Sequence, residues 1–179
     1  MGVSGGQSDR RPRKENRNVV RGMDYPKRKH PRLKQYDYSQ NGAYHITICT
    51  KNRVPTLSSV VGRAALCAPP YIELTKLGKI TQYYIDRIPV VYQGVTVDAC
   101  VIMPDHIHLL LRIDRNGAQG AARPTVDQVV RSVKIMVRKH TGISPFQRSF
   151  YEHIIRGYED YCETWEYIHN NPIKHSKEY

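Results

Sequence analysis

Apolar and polar positions first alternate clearly at Tyr44-His-Ile-Thr-Ile-Cys-Thr50, with Tyr44, Ile46 and Ile48 on one side and His45, Thr47 and Cys49 on the other. A period of two is that of a strand with one buried face, so this segment predicts the first strand. His45 reads there as a surface or packing histidine rather than a ligand. Residues 51 to 72 are rich in Ser, Gly and Pro and read as a loop, with a short strand at Tyr71-Ile-Glu-Leu74. Leu77, Ile80, Tyr84 and Ile88 then recur at helical spacing, with Thr75 placed to cap the helix and Pro89 to end it.

Val95 to Met103 predicts a second strand, and a tight connection at Pro104-Asp105 returns the chain into a third at the apolar run after His106. Thr125-Val-Asp-Gln128 has the form of a capping box. Val126, Val129, Val130, Val133 and Val137 form the buried stripe of the helix it opens, leaving Arg131, Lys134 and Arg138 on another face. Phe150 to Arg156 reads as extended, and a last helix is expected from about Glu159 to Asn170, with Tyr161, Trp165 and Ile168 as its core stripe. Pro172 is expected to end it. Strand, helix, two strands, helix, strand predicts an α+β domain: a ferredoxin-like antiparallel sheet with helices packed on one face.

In Val101-Ile-Met-Pro-Asp-His-Ile-His-Leu-Leu-Leu-Arg-Ile113, two histidines flank one isoleucine. On a strand, His106 and His108 share a face while Ile107 and Leu109 take the other, and residues two apart are roughly 6.5 to 7 Å apart, close enough for two imidazoles to tilt toward one metal ion. The pair is a candidate metal site; two polar residues on a solvated strand face would look the same. In the last helix Tyr167 lies off the core stripe and shares a face with Glu163 and Asn171, a carboxamide one turn away. A surface tyrosine would also fit that position.

Composition changes the picture in one respect. The formal charge is +12, from 28 Lys and Arg against 16 Asp and Glu, which points to a polyanionic partner. Residues 1 to 40 carry eleven basic residues, Lys27, Arg28, Lys29, Arg32 and Lys34 among them, against four acids. With few apolar residues, positions 1 to 30 read as a disordered basic tail and 31 to 179 as the folded domain. No apolar stripe accompanies the basic run, so nucleic acid is favoured over a membrane as the partner. The Arg131, Lys134 and Arg138 stripe is either a solvated face or a second phosphate contact. Four scattered cysteines without a C-x-x-C pair suggest neither a disulfide framework nor a zinc finger. A cytoplasmic, nucleoid-associated protein is expected.

The Met-Pro-Asp-His-Ile-His-Leu-Leu-Leu block resembles the histidine, hydrophobic, histidine motif of HUH endonucleases, specifically the single-tyrosine transposases. Tyr36-Asp-Tyr-Ser-Gln-Asn-Gly, Ile48-Cys-Thr-Lys-Asn-Arg, Tyr151-Glu-His-Ile-Ile-Arg and Tyr167-Ile-His-Asn-Asn-Pro extend the likeness in the family's order. Together they resemble REP-associated tyrosine transposases. That resemblance implies the ferredoxin-like fold and a nucleophile at Tyr167, with Tyr158 and Tyr161 as the alternatives. It also implies a Mg²⁺ or Mn²⁺ ion on His106, His108 and, as third ligand, Asn171. Two imidazoles suit Mn²⁺ better by ligand type, whereas intracellular availability favours Mg²⁺. The implied activity is cleavage and rejoining of single-stranded or hairpin DNA through a 5′-phosphotyrosine, by a monomer or a homodimer. A domesticated DNA-hairpin-binding protein of the same fold, without activity, is the alternative.

Overall fold

The computed structural model describes residue 1 and residues 41–62, 70–114 and 124–177, the side chains from 175 onward excepted. The expected tail, with Lys27, Arg28, Lys29, Arg32 and Lys34, lies outside the described residues. Four strands, β1 (Gly42–Cys49), β4 (Val95–Ile102), β5 (His106–Ile113) and β6 (Tyr151–Ile154), form an antiparallel sheet in the order β4-β5-β1-β6. A separate hairpin pairs β2 (Ser58–Val61) with β3 (Tyr71–Leu74). Setting that hairpin aside, strand, helix, strand, strand, helix, strand with this order is the ferredoxin-like arrangement.

The register explains how the pattern is spent. Thr47 pairs with His108 and Ile48 with Ile107, so the odd and even positions of the two central strands stay in step. One face carries Tyr44, Ile46, Ile48, Ile107, Leu109 and Leu111, all essentially inaccessible. Against it pack α1 (Lys76–Asp86), the single turn α2 (Ile88–Val91) and α3 (Val126–Thr141), whose valines at 126, 129, 130, 133 and 137 are buried. Thr75 caps α1 by accepting from the Gly78 amide, as its position predicts. Pro89 stands inside α2 rather than after the helix.

The α+β class with helices against an antiparallel sheet is as the pattern predicts. The expectation that every helix shares one face holds for α1, α2 and α3 but not for α4 (Tyr158–Lys177). Ile168 of α4 packs with Leu110 and Ala99 on the opposite face, and Tyr161 adds to that smaller cluster. Leu110 sits among otherwise polar outward positions of β5, and one buried leucine is too weak a periodic signal to announce a second covered face.

Two further readings of α4 are corrected. The inward stripe is Tyr161, Thr164, Ile168 and Asn171, with Thr164 and Asn171 buried, while Trp165 is 41% exposed and stacks on His169 at 3.6 Å between centroids. The sheet face beneath carries histidines and a threonine, so polar side chains take inward places that hydropathy assigns outward. The helix also runs through Pro172 to Lys177 instead of ending there. Proline removes only its own N–H bond and crowds one carbonyl, which a helix docked along its buried stripe tolerates.

α3 shows how far local chemistry sets an element. The Thr125 hydroxyl accepts from the Gln128 amide and the Gln128 side chain accepts from the Thr125 amide, completing the capping box. Thr125→Ala removes the first of these bonds and should cost about 1 kcal/mol. Urea unfolding at neutral pH measures this as a lowered midpoint at constant slope. An unchanged midpoint would mean that α3 is held by its valine stripe alone.

Candidate active site

Four outward positions of the two central strands, His45 and Thr47 on β1 and His106 and His108 on β5, meet under α4. Nδ1 of His108 lies 3.0 Å from both Nε2 of His45 and Oγ1 of Thr47. The rings of His106 and His108 are 4.7 Å apart and nearly perpendicular. Tyr167 completes the group from above, its ring 5.2 Å from that of His108 and 5.8 Å from that of His45. All these side chains belong to one chain.

His108 is only 5% exposed, and its Nε2 is buried with no hydrogen-bond partner. Burial, reinforced by the positive potential of His106, His45 and Arg53, pulls its pKa down to about 3, so the ring is neutral near pH 7. A neutral imidazole carries one proton. Placing it on Nε2 would bury a donor without an acceptor, whereas on Nδ1 it can donate to Thr47 or His45, leaving the Nε2 lone pair free. His106 is turned the same way, because its Nδ1 donates to Oδ1 of Asp105 at 2.6 Å. Burial opposes the charge on Asp105, but the bond and charge of His106 and the nearby Arg53 outweigh it and lower the Asp105 pKa. Both histidines therefore keep one ring nitrogen tied and offer the other.

That donor set fits a divalent ion: a buried lone pair with no protein partner is what a ligand position looks like, and an acceptor bonded to the opposite nitrogen fixes each ring. Among the described residues no group of three His, Cys, Asp or Glu side chains could hold a metal ion. Among the described residues, a further ligand would be a carboxamide, with water or substrate as the other sources. Asn171 is 8% exposed on the sheet-facing side of α4, one turn beyond Tyr167. Its side chain makes no hydrogen bond among the described residues.

Tyr167 itself is 39% exposed and borders an open cavity of about 490 Å³ lined by His45, Glu163, Thr164, Glu166, Asn170 and Lys174. The Lys174 ammonium stands 4.9 Å from the centre of its ring. α4 is moored by Asp98, the extra residue of a bulge in β4, which accepts from the Tyr161 hydroxyl at 2.9 Å and from Arg112. Burial works against the Asp98 charge, yet these bonds keep its pKa below the usual carboxylate range.

Of the residues singled out from sequence, His106, His108 and Tyr167 come together. The basic stripe on α3 does not join them, since α3 covers the other face of the sheet. Lys134 is occupied with the carbonyls of Gln147 and Ser149, each 3.0 Å away, and burial pulls its pKa down to about 8. Arg131 pairs with Asp127. Lys134 is thus tied to the loop after α3. His45, Thr47, Asp105 and Lys174 were missed. The alternation of β1 already put His45 and Thr47 on the outward face, and only the register against β5 reveals what they face.

The neutral histidines have a consequence for stability. In metal-free protein His108 stays neutral down to about pH 3, and burial shifts His45 in the same direction. As pH falls below about 6.5 the unfolded chain takes up protons that the native site refuses, so stability drops by up to roughly 1.4 kcal/mol per pH unit for each such group, while above that pH the contribution is flat. In EDTA, the urea midpoint should be lower at pH 5 than at pH 7, and His108→Asn should narrow the gap. Equal midpoints at both pH values would contradict the assignment of a buried neutral imidazole.

No protein-family model matches the chain. A Haemophilus influenzae protein named only "Uncharacterized protein" is 33% identical over 163 residues, covering 79% of this chain and 86% of its own length. A second H. influenzae protein, named "Putative REP-associated tyrosine transposase", is 36% identical over 93 residues, 47% of this chain and 52% of that protein. The named likeness to REP-associated tyrosine transposases thus spans about half of this chain and half of that relative. A solved REP-associated tyrosine transposase bound to a REP hairpin shares the fold, with a TM-score of 0.56 at 22% identity over 80% of this chain and 74% of that one. In this fold the histidine pair, the helix laid across it and the tyrosine on that helix form one local unit rather than scattered motifs.

Proposed function

We propose that this chain is a transposase-type nuclease that cleaves and rejoins single-stranded or hairpin DNA through a 5′-phosphotyrosine intermediate. The observation that carries the reading is the convergence within a single chain of the Tyr167 ring on His108, 5.2 Å away, whose own ring lies 4.7 Å from that of His106. The names of its relatives support transposase chemistry, and the REP hairpin bound by the structural neighbour supports hairpin DNA as the substrate.

In the cleavage step the Tyr167 oxygen attacks phosphorus in line, the bond from phosphorus to the 3′ oxygen breaks, and that oxygen leaves as a hydroxyl once protonated. The 5′ phosphate remains on the tyrosine. Rejoining reverses the step with an incoming 3′-hydroxyl and needs no nucleotide, because the phosphotyrosine keeps the bond energy. A Mg²⁺ or Mn²⁺ ion held by His106, His108 and Asn171 would polarise the phosphate and offset its developing charge. Thr47, His45 and Asp105 keep the two imidazoles in the ligand orientation. Lys174, over the phenol ring, pairs with the phosphate that the tyrosine acquires. The tyrosine beside its own histidines favours a monomer acting in cis. The basic segment before residue 41 adds affinity for the DNA backbone.

The test is incubation with a hairpin oligonucleotide carrying single-stranded flanks, labelled in turn at each end, with Mg²⁺ or Mn²⁺ and with EDTA. A metal-dependent nick is expected, the fragment 3′ of the cut staying with the protein on denaturing gels. Tight binding without a nick in any metal would leave a hairpin-binding protein instead.

A further inference from the structure

Directly after β1, the turn Lys51–Arg53 holds Asn52 at φ 58° and Arg53 at φ 56°, and these are the only non-glycine residues at positive φ among the described residues. Side chains are disfavoured in that conformation, and two in succession persist only where the surroundings impose them. Here they do. The Thr50 amide and hydroxyl both donate to the Asp105 carbonyl, at 2.8 and 2.9 Å, and the Lys51 amide donates to Pro145 at 2.7 Å. The turn is thereby riveted to the residue that precedes the histidine pair.

Its product is the placement of one side chain. An Nη1 of Arg53 donates to Oδ2 of Asp105 at 3.2 Å, while the other oxygen of the same carboxylate takes the His106 ring at 2.6 Å. The guanidinium is thus fixed one residue's width from His106, still 52% exposed. Its remaining N–H groups have no partner among the described residues. An ordinary surface ion pair contributes little and would not need a strained backbone to form. A planar fork with free donors beside the histidine pair is instead the arrangement that receives a phosphate by two parallel hydrogen bonds.

We propose that Arg53 grips one backbone phosphate of the single strand crossing His106 and His108, namely the phosphate at the bond to be cut. This rests on the cleavage reading above. Arg53 is then a substrate-binding residue, and Asp105 sets the spacing between the gripped phosphate and the histidine pair.

The test is a binding scan in the Tyr167→Phe background without metal, so that nothing is cut. Hairpin oligonucleotides carry an uncharged methylphosphonate at one position at a time and are titrated by anisotropy against Arg53, Arg53→Lys and Arg53→Gly proteins. Glycine accepts the positive φ without strain, so Arg53→Gly should fold at least as stably, which thermal unfolding verifies. Binding of the unmodified hairpin should weaken about tenfold in Arg53→Gly, less in Arg53→Lys, and the slope of log affinity against log salt should fall by about 0.7. Neutralising the phosphate that the wild type cuts should weaken the Arg53 protein and leave Arg53→Gly unaffected. Additive losses at every position, coupling two or more nucleotides from the cut, or unchanged affinity would each overturn the proposal. If the wild type cuts nothing, the cleavage reading fails by that result alone. The scan then still decides whether Arg53 pairs with a single phosphate.

Discussion

Tyr167→Phe should abolish the covalent protein–DNA adduct while the protein folds and binds hairpin DNA as before. The change deletes one oxygen from a side chain that is 39% exposed on the rim of an open cavity, so stability should move by less than about 0.5 kcal/mol. Without the oxygen there is nothing to attack phosphorus, and cleavage should fall by at least about 10³-fold. Tyr158→Phe and Tyr161→Phe are the controls. Tyr158 is exposed, and no ring contact joins it to the histidines. The Tyr161 hydroxyl donates to Asp98 at 2.9 Å, and burial with that bond raises its pKa, which makes it a mooring group and a poor nucleophile. Both variants should keep the labelled band on a denaturing gel. An adduct surviving in Tyr167→Phe and lost in Tyr161→Phe would mean that the face of α4 has been misread.

The second large effect separates the two sides of β5. His106→Ala and His108→Ala should each reduce cleavage by about 10² to 10⁴-fold and weaken binding of Mn²⁺, followed by calorimetry, because each removes one of the two ring nitrogens proposed to hold the ion. Both should remain folded. His106 lies on the polar face of β5, outside the apolar core, and loss of His108 relieves a buried polar atom that has no partner. Ile107→Asp, between them, should instead unfold the domain, since a lone carboxylate among Ile46, Ile48 and Leu109 costs several kcal/mol. Far-ultraviolet circular dichroism distinguishes the two outcomes. Cleavage at the wild-type rate by His106→Ala would remove the metal assignment.

Local chemistry made much of this legible in advance. Alternation placed β1 and β5, and the capping box began α3, because each depends on residues within a turn or a hairpin of one another. What stayed hidden depends on pairing at a distance. His45 looked like a packing histidine until register set it 3.0 Å from His108, across 63 residues of chain. The carbonyls that the loop after α3 sets around the Lys134 ammonium were equally out of reach of a pattern that offered only a solvated face or a phosphate contact. The hairpin strand β2 was submerged in a Ser- and Gly-rich stretch, since four residues with only two apolar side chains give no clear period. The course of α4 through Pro172 follows from docking on the sheet, and helix-stop chemistry points the other way.

The central claim is that Tyr167 and the histidine pair of one chain act on one phosphate, and the most direct measurement is to identify the residue that carries the DNA. A hairpin oligonucleotide is cut in the presence of Mn²⁺, the adduct is digested with protease and nuclease, and the modified peptide is sequenced by mass spectrometry. The account predicts a 5′-linked nucleotide on Tyr167 and on no other tyrosine. A nucleotide on Tyr158, Tyr161 or any other residue, or a nick that leaves no linked peptide, would contradict it.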